Sequence, residues 1–452
     1  MDDLDSSPYS STHADLLAEL RRRGVASSAQ LQQALGKSQP TLSRALRELS
    51  NQVLVLGQQR SARYALPQDI LGLPARQPLV WCDEHGARHD WGWLTHLGAE
   101  RVHVEAPGID VTTRGQLPWF LATLRLQGFL GRLWGRSPLA VGYDSNPERW
   151  RIDQLLALLL REVRDVPGAI SLGREADSLA PTGAATPNAS TKGLPLPARL
   201  AQHDAQAEAL IHFSPAGSSA AGEQSKFISN DGAGQLIVKF TPPRGTPFGE
   251  RWHDLLHAEA LALLTLAEHG VAVAATCVVE SPRRTYLEST RFDRIGAAGR
   301  RHIVPLEAVH AAFVPGPRQH WAASCKLLAR QRRLPSDVPG QVNALMHFGR
   351  LIGNSDMHFG NLSLAVATPE DVARGRFTLA PVYDMLPMRW RPDVHSGGFD
   401  WLPFTPEPHD LASAARPVAL RYWQRVEAHA AIGKGLRGLA ATMAHTLARP
   451  AL

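Results

Sequence analysis

The chain has 452 residues, 44% hydrophobic and 20% charged, with a formal net charge of +6. That balance describes an ordinary globular protein with room for about two to four domains and at least one sizeable core. It excludes a membrane-spanning helix, since no apolar run reaches the ~18 residues needed, and its three distant cysteines, Cys82, Cys277 and Cys325, exclude a disulfide framework.

In chain order, the start, MDDLDSSPYSSTHADLL, is acidic rather than signal-like, so a cytoplasmic location is expected. Residues 13–66 hold eight Lys or Arg against three Asp or Glu, so most of the net charge sits in this short piece. HADLLAELRRRG predicts a helix with Leu16, Leu17 and Leu20 inward and Gly24 as its stop. SSAQLQQALG predicts a second, capped by Ser27 or Ser28 and ended by Gly36. SQPTLSRALREL predicts a third, with Ser38 as cap, Pro40 in the first turn and Leu42, Leu46 and Leu49 buried. QVLVLGQQRSARYAL then reads as two short strands around a Gly-containing turn. Together these predict a winged helix-turn-helix. Its third helix presents Gln39, Thr41, Ser43, Arg44 and Arg47 outward, with Arg60 and Arg63 on the wing, all suited to groove and phosphate contacts. A protein–protein module of the same shape is the plainer alternative; the basic excess on helix and wing favours operator DNA.

Residues 70–172 are rich in tryptophan and carry a well-patterned helix, WRIDQLLALLLREV. Cys82, His85 and His89 lack the second pair that closes a structural zinc site, so a solvated loop is expected there. Arg174–Arg199 is rich in Ala, Pro, Ser, Thr and Gly and reads as a linker.

Beyond it the pattern changes. A loop of small residues, Gly217 to Gly222, precedes two strand-like runs, 224–229 and 235–240, joined by Asp231-Gly232-Ala233-Gly234. Lys239 stands alone in the apolar run LIVKF, and Glu259 follows twenty residues later inside the helix pattern RWHDLLHAEALALLTLAEHG. Small-residue loop, strand, lysine, then a helix with an acid is the order of a kinase N-lobe. The segment GNSDMHFGNLSL is too polar for core and too broken for a helix, and it sets Asp356 and Asn361 five residues apart. Kinases need a base for the hydroxyl proton and an Asn five residues later for magnesium, with a further metal-binding acid downstream, where FTLAPVYDMLP ends its apolar run in Asp384. His358 can orient Asp356 or contact phosphate, or simply brace the loop. No His-Arg precedes Asp356, and no Phe-Gly follows Asp384.

These departures have a pattern of their own. SAAGEQSKF, STRFDR, NSDMHFGNLSL and LAPVYDML together resemble the HipA-family serine/threonine kinase toxins of bacterial toxin–antitoxin systems, over roughly residues 200–400. The N-terminal winged helix resembles the YjjJ-type branch. The resemblance implies an α+β fold: a two-lobed protein-kinase-like (HipA-like) body behind a winged helix-turn-helix domain at 1–70. It further implies a HipA-like N-terminal subdomain at 71–173, a linker at 174–199, an N-lobe at 200–300 and a helical C-lobe at 301–452. It implies ATP and Mg²⁺, with Asp356 as catalytic base, Asn361 and Asp384 as metal ligands, Lys239 on the ATP phosphates with Glu259 as its partner, and Phe292 and Asp293 at the adenosine. Ser219 and Gly222 fall in the Gly-rich loop; Ser219, with Ser218 adjacent, matches the serine whose autophosphorylation silences the family's kinases by charge repulsion. The implied partners are a protein substrate, an aminoacyl-tRNA synthetase in known members, operator DNA and a separate antitoxin. A homodimer would read two half-sites, and no membrane partner is expected. Two other readings stand beside this one: a DNA-binding regulator whose kinase-like body only senses nucleotide, and a toxin with other chemistry such as nucleic-acid cleavage.

Overall fold

The computed structural model describes residues 11–57, 62–163, 165–173, 189–190, 193–212, 224–231, 234–392 and 400–449. Ser218, Ser219, Gly222, Arg60 and most of the 174–199 stretch therefore lie outside the described residues. Mixed helices and antiparallel sheets build the molecule. None of the described helices is long and apolar enough to cross a membrane.

At the N-terminus, helices Ser11–Arg23, Ser28–Leu35 and Gln39–Glu48 close on Leu16, Leu20, Leu31, Leu42 and Leu49. Ser27 caps the second helix, its side chain accepting from the Gln30 N–H while the Gln30 side chain accepts from the Ser27 N–H; Gly36, at φ +63°, ends it. The two strands foreseen, Leu54–Leu56 and Arg63–Ala65, pair antiparallel, and a third, Val25–Ser27, joins on the other side of Arg63–Ala65. Leu56 and Ala65 also bury against Leu97 of the following segment.

That segment forms a five-stranded antiparallel sheet, in the order Ile109–Arg114, Arg101–Ala106, Arg88–His96, Arg76–Cys82, Ile170–Leu172. Most of its tryptophans are core, Trp81, Trp91 and Trp150 packing with Phe120 and helix Ile152–Arg161, while Trp93 is exposed. Cys82, His85 and His89 do not converge on a metal. His89 pairs with Asp83 at 2.9 Å, and the Cys82 thiol is buried against backbone carbonyls.

The next sheet runs Thr276–Glu280, Thr285–Thr290, Gln235–Phe240, Lys226–Asn230, Ala189–Ser190, antiparallel except at its last pair. Helix Leu196–His212 packs on it through Ala207 and Leu210, so the linker expected up to Arg199 gives way to helix from Leu196. Helix Pro247–Glu268 starts at a Thr246 cap with Pro247 in its first turn. Ala258, Ala262, Leu263 and Leu266 bury it against Phe348, Val382, Met385 and Trp423 of a helical lobe. The longer helices of that lobe, Leu306–Phe313, Trp321–Arg330, Val338–Leu351, Arg416–Ala428 and Lys434–Ala448, accompany a small sheet of His302–Pro305, Ser363–Val366 and Thr378–Leu379. The cleft that matters lies between these two lobes.

Candidate active site

Strand alternation decides which residues of Gln235–Phe240 meet the cleft. Leu236, Val238 and Phe240 enter the apolar core, so Lys239 and Ile237 face the other way, into a cavity of about 420 Å³. Lys226 stands opposite Lys239 in register and faces the same cavity. Glu259, Phe292, Asp293, Asn361 and Asp384 also line it, and the middle segment closes one side with Gln127–Leu130 and Asp165–Pro167. A larger groove of about 810 Å³ lies between Ile109–Gln127 and helix Leu306–Phe313, but none of Lys239, Glu259, Asp356, Asn361 and Asp384 lines it. The chemistry belongs to the smaller one.

Lys239 donates to both carboxylate oxygens of Glu259, at 2.6 and 2.7 Å, and also to Asp384 Oδ1. The sheet supplies the cation, the long helix one acid and the helical lobe the other. Burial alone lowers a lysine pKa, yet Asp384 and Glu259 outweigh it and hold Lys239 charged, above its ordinary value. Burial likewise works against the Asp384 anion, and the Lys239 charge overcomes it, drawing Asp384 down to about 2. Glu259, at 2% exposure, is pushed up by burial and by the Asp384 charge against the pull of Lys239. Asp384 sits at φ +52°, a region that costs a side-chain-bearing residue about 1–3 kcal/mol. Glycine would fit that backbone better, so the carboxylate is what the position keeps.

Asp356 and Asn361 belong to one self-bonded loop. The Asn361 amide donates to the Asp356 carbonyl at 2.8 Å, and the Asp356 N–H donates to Asn354 Oδ1 at 3.0 Å. Side chains replace the helix or ladder bonds the segment lacks, which is why it is both polar and fixed. His358 caps the short 3₁₀ turn Phe359–Asn361, its Nδ1 accepting from the Gly360 N–H at 3.0 Å, and Trp321 Nε1 donates to the His358 carbonyl at 3.1 Å. This geometry gives His358 a bracing role; Asp356 is half-buried and is not among the cavity-lining residues.

Three residues that the sequence did not single out complete the site. Buried Asn354 also reaches the Asp384 carbonyl at 3.5 Å, tying the two acid-bearing loops together. Tyr383 donates to the Gly360 carbonyl at 2.9 Å and lies 2.8 Å from Ser363 Oγ, while its ring packs on Phe292 with centroids 5.7 Å apart. Lys226 adds the second cation. Of these, Lys226 and Asn354 had a signal, a lysine at strand spacing and an Asx residue two before the acid.

Asp293 reaches the cavity wall with its carboxylate already engaged. Arg291 donates to it at 3.0 and 2.9 Å, Arg294 at 2.6 Å and the Gly168 N–H at 3.0 Å. Against the cost of burial, Arg291 and Arg294 hold it well below the usual carboxylate range. Asp165 completes the network with Arg291 and Arg294, so these charges join the middle segment to the cleft.

On the N-terminal unit, Gln39, Thr41, Arg44, Arg47 and Arg63 are exposed and Ser43 half-exposed. Gln39 accepts from Ser28 Oγ at 3.0 Å and from the Gln32 amide, which links the second and third helices.

Two families cover most of the chain beyond its N-terminal unit. Residues 73–179 match the YjjJ-like toxin middle domain, and residues 218–447 match the HipA-like C-terminal domain. Toxin YjjJ of Escherichia coli (strain K12) is 33% identical over 450 residues, 94% of this chain and 96% of that protein. Among solved structures, a chain from the Shewanella oneidensis MR-1 complex of HipA, HipB and operator DNA superimposes with a TM-score of 0.49 at 16% identity, over 82% of this chain and 95% of that one. The Helicobacter pylori proinflammatory kinase CtkA gives 0.33 at 12% identity, over 50% of this chain and 87% of its own.

Proposed function

The chain belongs to the HipA family of toxins, within its YjjJ-like group, and from that premise we propose that it transfers the γ-phosphate of ATP to a serine or threonine of a protein target. The observation that carries this reading is the triple ion pair of Lys239, Glu259 and Asp384 on the wall of a cleft shared with Asn361. Phosphoryl transfer asks little covalent chemistry of a protein; it asks for positioning and charge neutralisation. Lys239, oriented by Glu259, binds phosphate oxygens. Phe292 offers an apolar surface for the base, and Asp356 accepts the proton of the attacking hydroxyl.

The donor set also fits a hard cation. Asn361 uses its amide nitrogen on the Asp356 carbonyl, which leaves its oxygen available, and Asp384 supplies a carboxylate. Mg²⁺ held by these two would neutralise charge on the phosphates. Autophosphorylation at Ser219 or Ser218 and an aminoacyl-tRNA synthetase as target remain part of the proposal, on the family likeness.

We read the N-terminal unit as a winged helix that binds operator DNA, with Arg44, Arg47 and Arg63 on phosphates and Gln39, Thr41 and Ser43 toward base edges. The exposed side chains and the basic excess support it. Asp356→Asn tests the two functions separately. The variant is expected to lose growth inhibition on expression while shifting operator DNA as the wild type does. Full growth inhibition by the variant would mean that kinase activity is not the toxic function.

A further inference from the structure

A cluster of imidazoles lies outside the nucleotide cleft, where helix Pro247–Glu268 passes between strand Thr276–Glu280 and the C-terminal helices. His253 and His257 stand four residues apart, so they emerge on one helix face, with ring centroids 4.6 Å apart. The His429 ring packs on His257 at 4.9 Å from the far side. Ligating atoms of His253, His257 and Glu280 all lie within 4.8 Å of one another. Glu280 divides its oxygens. Oε2 accepts from Arg244 at 2.8 Å, and Oε1 is 3.1 Å from His257 Nε2, close to the spacing of two ligands on one small cation. His429 Nδ1 is buried without a hydrogen-bond partner, a condition that calls for an explanation such as an ion.

We propose that His253, His257 and Glu280 bind a divalent transition-metal ion of the zinc class, and that His429, which packs on His257 outside that close group, turns in as the fourth ligand. Three imidazoles and one carboxylate are a borderline-soft, tetrahedral donor set, unlike the oxygen set of the nucleotide cleft. The ion lies on the Oε1 side of Glu280, so Arg244 keeps Oε2. Arg244 also approaches His253 Nδ1 at 3.0 Å, and His253 already bonds Thr285 Oγ1 at 2.7 Å and the Ala431 carbonyl at 2.8 Å. Whichever His253 nitrogen takes the ion gives up its present contacts, Ala431 at Nε2 or both Thr285 and Arg244 at Nδ1. The consequence is mechanical. His257 is two residues before Glu259, so an ion here pins the helix that orients Lys239 to the C-terminal segment around His429.

The inference is independent of the kinase reading and is tested without it. Untagged full-length protein, stripped with chelator, is titrated with Co²⁺ alone and followed by visible absorption and equilibrium dialysis. The expected result is one tetrahedral, strongly absorbing Co²⁺ per chain, displaced by Zn²⁺, with a raised thermal midpoint. Asp384→Asn in the cleft, and His409→Ala in the separate cluster of His347, His409 and Asp410, should leave it unchanged. Glu280→Gln and His257→Ala, checked for wild-type circular dichroism, should weaken binding by more than about 100-fold, beyond the loss of a merely supporting partner. If His257→Ala does not fold, His429→Gln decides: a similar weakening supports the site, and unchanged affinity overturns it. Absence of absorbing Co²⁺ in the wild type, or its loss in His409→Ala, also overturns it.

Discussion

Lys239 serves two acids at once, and that sets what its replacement does. Lys239→Ala leaves buried Glu259 and half-buried Asp384 without their cation, a break that costs up to about 3–5 kcal/mol. The triple variant Lys239→Met, Glu259→Leu, Asp384→Asn removes the charges together and is expected to recover most of that stability while remaining inactive. Chemical denaturation with a phosphotransfer assay checks both. If Lys239→Ala proves as stable as the wild type, the buried triple pair does not hold the lobes. At this scale the sequence was informative about residue identity and silent about engagement. Lys239, Glu259, Asp356, Asn361 and Asp384 could be singled out from order and spacing. The Asp293 carboxylate could not be seen to be engaged by Arg291 and Arg294, because Asp165 and Gly168, which complete that network, lie more than a hundred residues away.

Elements with strong local signals formed where periodicity and caps put them. The second N-terminal helix and the long helix Pro247–Glu268 are of this kind, since a cap and a buried stripe agree locally, whereas the third forms on its buried stripe and Pro40 without a side-chain bond from Ser38, the expected cap. Val25–Ser27 was missed because three residues carry no period and gain strand geometry only by pairing with Arg63–Ala65. Helix Leu196–His212 was hidden at its start by a proline-rich approach, and it packs through few buried apolar residues. The GNSDMHFGNLSL loop is fixed by Asn354, Asn361 and His358, whose side-chain bonds no propensity reports. The third N-terminal helix gives the element-scale prediction. Arg44→Ala with Arg47→Ala should weaken operator binding across sequences and reduce the salt slope by about two. A gel-shift titration at several salt concentrations measures it, and an unchanged slope removes both arginines from the DNA face.

For the whole molecule, the middle segment is a wall of the candidate cleft and not an appendage, joined to it by the charges around Asp293 and by His302. His302 is fully buried, packs on Trp81 with centroids 5.4 Å apart and accepts from the Ala169 N–H at 3.3 Å. Burial lowers its pKa from 6.5 to about 4. A histidine depressed in the fold binds fewer protons folded than unfolded. Its contribution, about 3 kcal/mol, is therefore complete above pH 6.5 and is lost as pH falls toward 4. Stability should drop over that window, and His302→Gln, though less stable at neutral pH, should show a shallower drop. Denaturation midpoints at intervals from pH 7 to pH 4 test this; parallel curves would assign the acid sensitivity elsewhere.

Phosphoryl transfer is the property to measure first. Purified wild type and Asp356→Asn are incubated side by side with γ-phosphate-labelled ATP, Mg²⁺ and a matching cell lysate. The expected result is label on the protein itself or on one lysate protein, absent with the variant. Measurable ATP binding with no label on any protein would contradict it and leave a nucleotide-sensing regulator in its place.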